Sequence, residues 1–119
     1  VEKVMTKLYG IKNCDTVKKA RTWLKDHNVD YVFHNYKKDG VDKNILEKAI
    51  ATHGWEAVIN RRGTTWRQLP DKIKNKIDAD NALDLALENS SVIKRPLILK
   101  GDEIILGFDS DKYDSIFKA

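Results

Sequence analysis

Residues 7–36 constrain the fold most tightly, because they read as a strand, a helix and a strand joined by short connections. Lys7, Leu8 and Tyr9 end a short strand that Gly10 interrupts. From Thr16 onward Val17, Ala20 and Leu24 recur at helical spacing with Trp23 beside them, so the helix has one apolar side. Asn28, after His27, is the residue expected to end it. Tyr31 to Tyr36 is rich in aromatic and β-branched residues and reads as the second strand. A helix between two strands with short links predicts a parallel pair and a right-handed crossover.

The C-terminal third returns to strands. Leu97–Lys100 and Glu103–Leu106 flank Gly101-Asp102, a two-residue turn between apolar runs, which predicts a hairpin. Gly107 ends it, and Asp109 caps a last helix with Tyr113, Ile116 and Phe117 on one face. Lys37 to Gly40 reads as a polar turn. Asp42 caps a helix whose apolar face is Ile45, Leu46, Ala49 and Ile50, and Gly54 stops it. Short helical segments follow at Trp55–Ile59 and Thr64–Leu69, and another opens with Pro70 in its first turn. A further helix, capped by Asp80 or Asn81, carries Leu83, Ala86 and Leu87. The order βαβα, helices, ββα predicts an α/β, thioredoxin-like fold with a helical insertion over about residues 42–90. Residues 5–119 are expected to form one domain; residues 1–4 read as a remnant or extension ahead of Met5.

Composition removes several function classes. Hydrophobic residues make up 41% and charged residues 34%, as in a globular protein. No apolar run approaches the ~20 residues of a membrane span, and no signal peptide is recognisable, so no membrane role is expected. The one cysteine, Cys14, cannot form an internal disulfide, which suits a reducing cytoplasm. With His27, His34 and His53 it shows no metal-ligand spacing, so no metal is expected. The net charge of +4 is uneven: residues 61–76 carry six cations against Asp71, and the remainder sums to −1. Lys72, Lys74 and Lys76 read as a solvated face, and no nucleic-acid reading motif accompanies them, so nucleic acid is not an expected partner. A monomer is expected.

Cys14 falls where the first helix begins. The N–H groups of a helix's first turn are unpaired, so they favour a thiolate there. Such a site lowers a cysteine pKa from about 8.5 into the range of roughly 3.5–7.5. Lys12, Lys18 and Lys19 are expected to add to this and Asp15 to oppose it, with Asn13 positioning the loop or bonding the sulfur. The second informative feature is Lys94-Arg95-Pro96, immediately before the third strand. Proline cannot donate to a ladder and belongs at a strand's start. In this topology the Arg95–Pro96 bond is expected to be cis, with Arg95 directed toward the start of the first helix.

Gly10-Ile11-Lys12-Asn13-Cys14-Asp15-Thr16, Asn60-Arg61-Arg62-Gly63-Thr64-Thr65-Trp66-Arg67 and Ile93-Lys94-Arg95-Pro96 resemble, in order and spacing, the arsenate reductase (ArsC) family in its Spx/YffB-like branch. The resemblance implies Cys14 as nucleophile and Arg61 and Arg95 as catalytic arginines. It implies substrate binding by Lys12, Asn13 and Pro96, and glutathione as co-substrate with no bound cofactor. Glutaredoxin is a further implied partner. A third family arginine, expected after the last hairpin strand, is replaced by Leu106-Gly107-Phe108-Asp109, and arsenate turnover is expected to suffer. Two functions follow from the resemblance: a glutathione-dependent thiol oxidoreductase, or a Spx-like regulator that binds a larger partner. Spx-type sensors carry Cys-x-x-Cys, whereas Cys14-Asp15-Thr16-Val17 has no second thiol.

Overall fold

A computed structural model describes residues 6–12 and 14–117. Within them the chain forms two compact units, one from the residues up to Asp39 with those from Arg95 onward, the other Gly40–Lys94. The first unit is a four-stranded sheet in the order β2-β1-β3-β4. Its strands are β1 (Thr6–Gly10), β2 (Val32–Asn35), β3 (Leu97–Lys100) and β4 (Glu103–Leu106). β1 runs parallel to β2, and β3 runs antiparallel to both β1 and β4. This is the thioredoxin-like arrangement the strand order predicts.

Helix α1 (Asp15–Asp26) buries Val17, Ala20, Trp23 and Leu24, the face marked by its periodicity. They pack with Leu8, Ile98 and Ile105, which are opposite one another in register and therefore share a sheet face. Asn28 ends α1 in the left-handed conformation at φ 58°. Its N–H donates to Lys25 O at 3.1 Å and that of Val29 to Leu24 O at 2.9 Å, so the last carbonyls are paired. One expectation changes nearby. Residues 37–40 are not simply a polar turn: Tyr36–Asp39 form a single helical turn, α2. Lys37 N–H donates to Asn35 Oδ1 at 3.0 Å, and Tyr36 is buried with its ring 6.1 Å from that of Tyr9.

The Gly40–Lys94 unit is helical. Its helices are α3 (Lys43–His53), α4 (Trp55–Val58), α5 (Thr64–Arg67), α6 (Asp71–Lys74) and α7 (Ala79–Glu88), followed by a 3-10 turn, Ser90–Val92. Asp42 caps α3 as expected, accepting from Asn44 and Ile45 N–H at 3.0 and 3.3 Å. The α7 cap is Asp78, not Asp80 or Asn81: it accepts from Asn81 N–H at 2.9 Å, while Asn81 Nδ2 donates to Lys76 O at 2.8 Å. Pro70 stands one residue ahead of α6, at its cap. Leu46 and Ala49 of α3, Val58 and Ile59, Ala82 and Ala86 of α7, and Val92 and Ile93 are buried.

Helix α8 (Ser110–Phe117) closes the first unit. Asp109 caps it, accepting from Asp111 and Lys112 N–H at 3.0 and 3.2 Å. Tyr113 is fully buried edge-on to Trp23, Phe108 and Phe117, and its hydroxyl donates to Gly107 O at 2.6 Å. Burial raises its phenol pKa well above the usual tyrosine value. No helix among the described residues is long and apolar enough to cross a membrane. Tyr113→Phe keeps the ring and strands the Gly107 carbonyl, so urea denaturation should show a loss of about 1–2 kcal/mol. An unchanged midpoint would mean that this carbonyl has another partner.

Candidate active site at the start of the first helix

The site begins with a steric constraint. A Cβ at Gly10 would lie 2.8 Å from Cγ2 of Val17 and 3.2 Å from its Cγ1. Val17 is fully buried and β-branched, so its side chain has little room to turn aside. Only glycine lets the end of β1 come this close to the first turn of α1. The chain then reaches Cys14, the N-cap, in extended conformation at φ −107° and ψ 123°. Its carbonyl accepts from Lys18 N–H at 3.0 Å, closing the first helical turn.

The Cys14 side chain is half-buried and makes no conventional capping hydrogen bond, as expected of a weakly accepting neutral thiol. As a thiolate it has several partners. Burial pushes its pKa up, but the N–H of Val17, the hydrogen bond and charge of Arg95, and the N–H of Thr16 together bring it below the ordinary value. The structure thus brings Cys14 and Arg95 together. The Arg95–Pro96 bond is cis, and Pro96 is buried at the entry to β3. Pro96 O accepts from Gly107 N–H at 2.8 Å, which ties the segment carrying Arg95 to the end of β4.

Lys12 is exposed, and Asn13 lies outside the described residues. Lys12, Lys18 and Lys19 are not among the groups that lower the Cys14 pKa; their charges are exposed and screened by water. Arg61 belongs to the Gly40–Lys94 unit, where it lies 3.7 Å from Glu56 and 5.6 Å above the Trp55 ring. Phe108 is partly buried against the core, its ring 5.1 Å from that of Tyr113. Among the described residues no cluster of histidine, cysteine and carboxylate side chains could hold a metal ion. The first-turn N–H donors expected from the helix start are those of Val17 and Thr16, whereas the close passage of β1 against Val17 was not foreseen. Gly10, seven residues before Val17, was the available signal for that close passage.

The ArsC family model matches residues 9–116, nearly the whole chain. The chain belongs to the ArsC family. A protein of Haemophilus influenzae is 46% identical over 113 residues, covering 95% of this chain and 99% of its own. The solved YffB protein is 47% identical with a TM-score of 0.90, covering 93% of this chain and 97% of its own. An arsenate reductase (ArsC) related protein from Brucella melitensis is 43% identical with a TM-score of 0.77, over 100% and 99% of the two chains. The global transcriptional regulator Spx 1 of Lactococcus lactis is 29% identical over 110 residues, 91% of this chain and 85% of its own.

Because the folded protein holds the thiolate at lower pH than the unfolded chain, Cys14 ionisation adds stability. That contribution is full above the unfolded thiol's pKa and is lost as pH falls through the folded one. Alkylation of Cys14 followed against pH should therefore have a lower midpoint in the native protein than in urea. Arg95→Ala should raise the native midpoint, and an unmoved midpoint would remove Arg95 from the site. Gly10→Ala should cost about 1–3 kcal/mol in urea denaturation, the usual range for overpacking, and should also raise the midpoint by displacing Val17.

Proposed function

We propose that the protein is a thiol–disulfide oxidoreductase with Cys14 as its nucleophile and glutathione as the resolving thiol. The observation that carries this reading is the convergence of Val17 N–H, Arg95 and Thr16 N–H on one cysteine sulfur. A thiolate is the attacking species in disulfide exchange, and its rate depends on access and on the fraction ionised. Cys14 attacks a disulfide R–S–S–R′, bonds to one sulfur and expels R′–S⁻, which takes up a proton. A glutathione thiolate then attacks the Cys14–S–S–R bond, restores the Cys14 thiolate and leaves as R–S–S–glutathione. Each cycle releases the R′ sulfur, reduced, as one thiol and oxidises one glutathione into the mixed disulfide.

An outside thiol is required because Cys14 is the only cysteine of the 119 residues. Arg95 gives a planar, two-pronged donor for a glutathione carboxylate beside the reacting sulfur. Arg61 enters this reading by its sequence position alone. Glutaredoxin is a second candidate for the resolving step, and a reducing cytoplasm is the setting in which such a cycle runs. Arsenate reduction is expected to be weak, since Phe108 offers no charge to an oxyanion.

The likeness to Spx 1 supports a second reading, a module that binds a larger partner and uses Cys14 without turnover. Intact mass after exposure to oxidised glutathione separates the two. The oxidoreductase reading expects a mixed disulfide at Cys14, released by excess glutathione, and formed about tenfold more slowly in Arg95→Ala if that contact contributes ~1.5 kcal/mol. A native protein that stays unmodified, while its denatured form is labelled, would favour the binding module.

A further inference from the structure

Cys14, Lys18, Thr22 and Asp26 are spaced by four residues, so from the cap of α1 onward they line one side of the helix. An open groove of about 380 Å³ runs beside Lys18, Thr22 and Asp26 of this row, and Lys19, Trp23, His27 and Phe108 complete its lining. Its floor is aromatic: the His27 ring lies flat on that of Trp23 at 3.8 Å, and Phe108 adds a further ring. Its rim toward Cys14 is basic. Neither Lys18 nor Lys19 makes an ion pair among the described residues.

Helix geometry sets the reach a ligand needs. At a rise of about 1.5 Å per residue, Lys18 and Lys19 stand about 6–8 Å along the axis from Cys14 and Trp23 about 13 Å. An extended polypeptide spans that longer distance in about four residues. A small oxyanion or alkyl thiol held at Cys14 stops short of the aromatic floor.

We propose that this groove binds the polypeptide flanking the reactive cysteine of a protein substrate. The segment would present an acidic side chain about two residues from that cysteine and an aromatic one about four residues away. This rests on the oxidoreductase reading and supplies its substrate class. The step is disulfide exchange: the Cys14 thiolate bonds to one sulfur of the substrate disulfide, and the other sulfur leaves as a thiolate.

Symmetric disulfides of short synthetic peptides test it with the full chain. One peptide carries Asp two residues and Phe four residues after its cysteine, a second carries them before it, and a control has Gly at both positions. Formation of the Cys14 mixed disulfide is followed by mass and divided by the iodoacetamide rate, which corrects for thiolate reactivity. At least one anchored peptide should react roughly fivefold or more faster than the control, about what a favourable exposed charge contact of ~1 kcal/mol supplies. Lys18→Gln with Lys19→Gln should remove the advantage of Asp. Thr22→Trp should fill the groove and remove that of Phe, with iodoacetamide alkylation unchanged. Equal rates for all three peptides, or an advantage that survives these substitutions, overturns the proposal. If oxidised glutathione modifies Cys14 but no peptide is preferred, the groove assignment alone fails; if no disulfide reacts, the oxidoreductase reading fails with it.

Discussion

The site depends on the unpaired N–H groups in the first turn of α1 meeting a sulfur instead of water. Oxygen-bearing side chains are the usual N-caps because they accept strongly while neutral. A thiol accepts poorly until it ionises. The cysteine at this position therefore exchanges some helix-capping strength for a preference to be charged. Burial works against the charge, and the Val17 and Thr16 donors with Arg95 outweigh it.

That balance holds only while the sulfur, the helix start and the arginine stay in place. Gly10 allows the close passage of β1 against Val17. The paired C-terminus of α1 and its buried face of Val17, Ala20, Trp23 and Leu24 fix the helix on the sheet. Arg95 is fixed from the other direction, since the bond from Gly107 N–H to Pro96 O joins its strand to the hairpin's end. The Tyr113 hydroxyl meets the carbonyl of the same Gly107, so α8 supports the same corner. Stability and chemistry thus share several of their contacts.

Much of the fold was legible because its signals are local. Alternating and helical apolar spacing, Asn28 after α1, Asp42 before α3 and the Gly101-Asp102 turn each act within a few residues, and each appears where the chain suggested. The errors are also local. Asp78, Asp80 and Asn81 are all competent caps, and the choice fell to where the chain bends into α7. Tyr36 drew the following residues into a helical turn by burying its ring. At the site, Cys14 and Arg95 were legible as a pair. The lysines were misjudged because their count says nothing about screening, and Arg61's contact with Glu56 needed coordinates to be seen.

The central claim is that backbone donors of α1 hold the Cys14 thiolate. The most direct test is the pH titration of the Val17 and Thr16 amide resonances by NMR, comparing the protein with Cys14→Ser. Both amide protons should shift together as Cys14 ionises, with one midpoint below that of an ordinary thiol, and the shift should vanish in Cys14→Ser. Amides that stay still, or that follow a midpoint at or above about 8.5, the value of a free cysteine, would contradict the account.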